Sequence, residues 1–75
     1  MPKLPVVSGM EARGAFEKAG WVYQRTGSSR HMILRKEGRP QALSVPEHRS
    51  LDRGLLRSLI RDAGLTVEEF SQLLK

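Results

Sequence analysis

The chain has 75 residues, no cysteine and two histidines, with 13 Lys or Arg against 8 Asp or Glu for a net charge of +5. A chain this short builds one domain with a thin core, has no disulfide framework or thiolate metal site, and with two histidines alone is poorly equipped for structural zinc. No apolar run reaches the ~20 residues of a membrane span and Met1-Pro2-Lys3-Leu4-Pro5 lacks a signal-peptide apolar stretch, so a cytoplasmic protein is expected, and its basic charge favours an anionic partner, most commonly nucleic acid.

Residues 4–7 form an apolar lead-in containing Pro5. Ser8-Gly9-Met10-Glu11 has the spacing of a capping box, in which a serine and a glutamate each bond the other's backbone N–H. Ala12, Ala15, Phe16 and Ala19 follow at i, i+3, i+4 and i+7, one apolar face of a helix. Gly20 stands where a helix-ending glycine is preferred. The opposite face carries Glu11, Arg13, Glu17 and Lys18, an ordinary solvated mixture.

Residues 21–25, aromatic and β-branched, suggest a first strand, and Thr26-Gly27-Ser28-Ser29 a turn. Residues 30–36 alternate as a second strand. Met32 and Leu34 lie on one face of it; His31, Ile33 and Arg35 lie on the other. Glu37-Gly38-Arg39-Pro40 reads as a hairpin turn, and residues 41–45 as a short third strand stopped by Pro46. After a polar connection, Asp52 is placed to cap a second helix with Leu56, Leu59, Ile60 and Ala63 on one stripe, widened by Leu55 and closed by Gly64. Thr66-Val67-Glu68-Glu69 is a second capping box, opening a short helix whose Phe70, Leu73 and Leu74 point inward. The expected fold is α+β, a three-stranded antiparallel meander with the helices on one face. This α-β-β-β-α order is the layout of double-stranded-RNA-binding domains, a fold analogy that does not by itself establish function.

The positive charge concentrates in the middle of the chain. Arg25, Arg30, Arg35, Lys36, Arg39, Arg49 and Arg53 stand against Glu37, Glu47 and Asp52. No Walker-type glycine loop, no Ser-His-acid spacing and no acidic cluster suited to two metal ions is present, so neither a cofactor nor a metal is called for. Histidine chemistry remains. RNA is cut without a metal when its 2′-OH attacks the neighbouring phosphate, which needs a base, an acid and cations for the charge on phosphorus. Histidine suits either proton-transfer role, its ordinary pKa of ~6.5 lying near working pH. Arginine suits the phosphate through its two-pronged fork.

His31, after a Ser-containing turn and beside Arg30 and Arg35, is the candidate; the competing reading is an ordinary polar residue at a strand end. Arg25, Ser28, Ser29, Arg30, Arg35 and Lys36 are the candidate RNA contacts. A plain turn also accounts for the two serines. His48 either supplies a second proton-transfer group or serves structure. Trp21 and Tyr23 either stack on bases, at ~1–3 kcal/mol per base, or pack in the core.

Four stretches then carry a resemblance. They are Leu4-Pro5-Val6-Val7-Ser8-Gly9-Met10-Glu11, Ala19-Gly20-Trp21-Val22, the turn and strand from Gly27 through Ser28, Ser29, Arg30 and His31 to Arg35, and Val45-Pro46-Glu47-His48 continuing into the segment from Gly54 to Thr66. In order and spacing they resemble the HicA toxin family, small ribonucleases of bacterial and archaeal toxin–antitoxin modules, and they span nearly the whole chain. The resemblance implies a fold similar to double-stranded-RNA-binding domains, ribosome-independent cleavage of mRNA, and a HicB-like antitoxin that covers the active site. It implies that His31, matching the histidine of the family's Gly-Ser-His, is catalytic. Ser29 and Arg30 stand where the family has the glycine and serine, with Gly27-Ser28 earlier in a loop longer by one residue, which implies a shifted imidazole and weakened activity. The alternative is a non-catalytic double-stranded-RNA-binding module of the same fold, binding by shape through phosphates and 2′-OH groups.

Overall fold

The computed structural model describes residues 3–75; Met1 and Pro2, the start of the segment expected to carry no leader, lie outside the described residues. The elements run α1 (Gly9–Lys18), β1 (Val22–Thr26), a 3-10 turn (Ser28–Arg30), β2 (His31–Arg35), β3 (Leu43–Pro46), α2 (Arg53–Asp62) and α3 (Val67–Leu73). The strands form one antiparallel sheet in the order β1-β2-β3. This is the expected α+β arrangement. Among the described residues no helix is long and apolar enough to cross a membrane.

Local chemistry fixes the helices. Both capping boxes form: the Ser8 hydroxyl accepts from the Glu11 N–H at 3.1 Å while Glu11 accepts from the Ser8 N–H at 2.9 Å, and Thr66 with Glu69 repeats the exchange at 3.0 and 2.8 Å. Asp52 accepts from the Leu55 N–H at 3.1 Å and opens α2. α1 and α2 end alike. Gly20 and Gly64 adopt φ of 102° and 79°, and the next residue's N–H reaches back to Phe16 and Ile60 respectively, which satisfies carbonyls the helix leaves free.

One core joins these pieces. Met32, Leu34, Leu43 and Val45 line the inner sheet face and meet Ala12, Ala15 and Phe16 of α1, Leu56, Leu59 and Ile60 of α2, and Phe70 of α3. Leu4, Val7 and Leu51 seal the rim. At Gly9 two backbones come so close that a side chain would collide with the Pro46 carbonyl. Its N–H donates to the His48 carbonyl at 2.8 Å, and the Leu51 N–H donates to Val7 at 2.9 Å. The start of α1 is thus pinned to the connection that leaves β3.

Several boundaries differ from the sequence reading. Trp21 precedes β1 instead of opening it, and Thr26 belongs to the strand, not the turn. A bulge between Tyr23 and Arg25 shifts the β1–β2 register. Arg30 falls in the 3-10 turn, not in β2. β3 starts at Leu43 and includes Pro46, which does not stop it. The reason is register: Pro46 faces His31, and the bonding contact lies one step on, from the Glu47 N–H to the Arg30 carbonyl at 3.0 Å. In such a non-hydrogen-bonded pair on an edge strand, the missing proline N–H costs the ladder nothing.

Candidate active site

All three helices contribute to the core on one face of the sheet, which leaves the other uncovered. That outer face is built from β2, the central strand, through His31, Ile33 and Arg35. Val22 faces Arg35 and Arg25 faces Ile33 across β1; Ser44 faces Ile33 across β3. Met32 and Leu34 are fully buried on the inner side, so alternation alone forces His31 outward. The imidazole is half-buried and Arg25, Arg35 and Ser44 are exposed.

The backbone around His31 is held from both sides. Its carbonyl accepts from the Gly27 N–H at 2.8 Å, toward β1, and the Arg30 carbonyl accepts from Glu47 at 3.0 Å, toward β3. The ring itself has no carboxylate ion partner among the described residues. Arg25 comes near through the turn: its Nη1 lies 3.1 Å from the place a Gly27 side chain would start, and Gly27 is bonded to His31. Exposed Arg30 reaches half-buried Glu47 at 3.7 Å, a solvent-screened pair that contributes ~0–1 kcal/mol.

The approach to the histidine is strained. Ser29 and Arg30 both adopt left-handed backbone, with φ of 63° and 57°. For a residue with a side chain this costs roughly 1–2 kcal/mol, and such strain persists where surrounding structure imposes it. Ser29→Gly should therefore stabilise the fold. Relief of strain outweighs the entropy that glycine adds to the unfolded chain, ~0.5–1 kcal/mol, so the melting temperature should rise by a few degrees in a thermal scan.

The other candidates separate. Ser28 and Ser29 are exposed in the 3-10 turn beside the histidine. Arg35 is on the outer face but at the opposite end of β2. Lys36 is occupied elsewhere: its ammonium donates to the Ala19 carbonyl at 2.9 Å, at the C-terminal end of α1, where a cation is favoured. Sequence reading missed this contact, because residues 17 apart on separate elements are brought together only by the fold. His48 is exposed, two residues beyond the Pro46 that faces His31. The two histidines are therefore at the same end of the sheet, their Cα atoms within roughly 12 Å.

Trp21 is buried, its Nε1 without a hydrogen-bond partner among the described residues. Tyr23 is half-buried, with the Arg13 guanidinium 3.8 Å above its ring and its hydroxyl 2.6 Å from Thr26. Burial takes Trp21 out of reach of a base, and Arg13 occupies one face of the Tyr23 ring.

The uncovered face thus presents one imidazole, a nearby guanidinium and a hydroxyl-bearing turn, a set able to move a proton beside a phosphate. Comparison with curated proteins finds no match. A family model described as HicA toxin of bacterial toxin-antitoxin matches residues 9–65, more than half of the chain. That span runs from the first residue of α1 past the end of α2 and takes in the whole sheet and both histidines. The chain belongs to the HicA toxin family of bacterial toxin–antitoxin systems.

Proposed function

We propose that this toxin is a metal-independent endoribonuclease that cuts mRNA, with His31 as general acid or base. The observation that carries the reading is the position of His31, at the head of the central strand on the one sheet face that no helix covers. The 2′-oxygen bonds to phosphorus and the bond to the 5′-oxygen breaks. The products are a 2′,3′-cyclic phosphate and a free 5′-hydroxyl. One proton leaves the 2′-OH and one arrives on the 5′-oxygen. His31 carries one of these transfers, a contribution of ~10²–10⁴-fold for a well-placed group. Arg25, Arg30 and the Ser28-Ser29 turn bind the phosphate. Arg35 extends the basic face along β2, and Lys36 adds charge behind it. A HicB-like antitoxin silences the enzyme in the cytoplasm by covering the same face.

The test is cleavage of single-stranded RNA by purified protein in the presence of a chelator. Cyclic-phosphate ends are expected, and an all-2′-deoxy strand of the same sequence should stay intact. RNA that is bound in a salt-sensitive manner but never cut would replace this reading with the non-catalytic double-stranded-RNA-binding module.

A further inference from the structure

The strongest unassigned feature is the charged side of α2. Arg53, Arg57 and Arg61 recur every fourth residue and are all exposed. Residues four apart lie on one side of a helix, each step rising ~6 Å, so the three guanidiniums form a stripe of one sign. This is unlike α1, where Arg13, half-buried over the Tyr23 ring and so not on the solvated face the sequence suggested, pairs with exposed Glu17 at 3.5 Å. On α2 the acids do not balance the arginines. Asp52 is spent on the Leu55 N–H. Asp62 touches only Arg61, at 3.9 Å in an exposed pair. Arg53 and Arg57 have no ion partner among the described residues. Like charges at this spacing oppose helix formation, so the stripe is not explained by the fold.

Its placement follows from the topology. α2 begins after the connection from Pro46, which faces His31 across the sheet. It ends at Gly64, against which the guanidinium of Arg39 from the β2–β3 hairpin packs. The helix therefore runs from the His31 end of the sheet back toward the hairpin. Arg53 is at the His31 end but on the helix side of the sheet, so a strand that reaches both must pass round that end; the Asp62 carboxylate marks the far limit beside Arg61.

We infer that Arg53, Arg57 and Arg61 form a track for the sugar-phosphate backbone of single-stranded RNA, holding the strand that flanks the cut bond. The inference rests on the ribonuclease reading above and extends it to how the substrate is held. Charge complementarity picks the occupant: a row of guanidiniums matches a row of phosphates, each fork offering two parallel hydrogen bonds. A protein partner would need an apolar centre to its interface. The large exposed apolar residues are Val6, Met10 and Val22, none of them on α2. The track reads no bases, so it fixes substrate length and not sequence.

The test uses the full chain carrying His31→Ala, so that RNA is not consumed, and fluorescence anisotropy with labelled single-stranded RNAs of about 20 and about 6 nucleotides. With Arg53→Gln, Arg57→Gln and Arg61→Gln together, affinity for the long strand should fall at least about tenfold at low salt. The slope of log affinity against log salt should flatten by about 2, or ~0.7 for each lost contact. Affinity for the short strand should change little, and the corresponding triple arginine-to-lysine protein should keep its slope. Thermal melting of each variant reports folding, and Arg57→Gln alone should flatten the slope by ~0.7.

An unchanged slope in the folded triple variant overturns the track. So does a variant that loses only its antitoxin and not its RNA. If the His31→Ala parent itself binds no RNA, the ribonuclease reading falls first, and with it the track.

Discussion

His31→Ala should lower the rate of RNA cleavage by about 10²–10⁴-fold and abolish growth arrest when the protein is induced in a bacterial host. The fold should survive. The backbone of His31 is held through its own carbonyl and that of Arg30, and both bonds persist with alanine. The lost side chain is only half-buried and faces outward, so what remains is the weaker strand preference of alanine, within ~1 kcal/mol. Activity and stability should therefore separate: cleavage gone, melting temperature nearly unchanged. A folded His31→Ala protein that still cuts RNA and still arrests growth would remove His31 from the mechanism. His48→Ala is the useful companion. His48 anchors α1 through its carbonyl and not its ring, so any loss of cleavage there reports proton transfer and not folding.

The sequence made the scaffold legible where a local rule acts alone. The two capping boxes involve residues three apart, and both form as spaced. The alternation through β2 put Met32 and Leu34 inside and His31, Ile33 and Arg35 outside, and burial follows it. What stayed hidden depends on partners distant in the chain. Pro46 joins β3 only because the register with β2 makes its missing N–H harmless. Gly9 is needed for the Pro46 carbonyl, 37 positions away, which no window of sequence exposes. The same holds at the candidate site. The outward position of His31 followed from periodicity; its proposed catalytic role rests on the family likeness. The left-handed backbone of Ser29 and Arg30 could not be read, because neither residue prefers that conformation. Lys36 looked like one more cation in a basic run; its bond to Ala19 joins two elements that only the fold brings together.

Phe70→Ala should be among the most damaging substitutions outside the site, at about 3–5 kcal/mol. Phe70 is fully buried, and its ring centroid lies 5.2 Å from that of Phe16 with the planes tilted by 45°, a geometry that adds to simple burial. α3 spans seven residues, too few to form a stable helix unaided. It persists because Thr66 and Glu69 cap it and because Phe70, supported by half-buried Leu73 and Leu74, holds it on the core. Removing the ring leaves a void against Phe16 and releases the helix. A chain of this length has a total stability of only roughly 4–11 kcal/mol, so the variant should lose about a quarter of it or more. Its melting temperature should fall by more than about 12 °C. Phe70→Leu, which keeps most of the volume, should cost under about 1.5 kcal/mol. α3 lies beyond residue 65, where the family match ends, so this pair also measures how far the working toxin depends on chain outside the shared region. A loss below about 1 kcal/mol in Phe70→Ala would mean that α3 is an appendage and that Phe16 is covered without it.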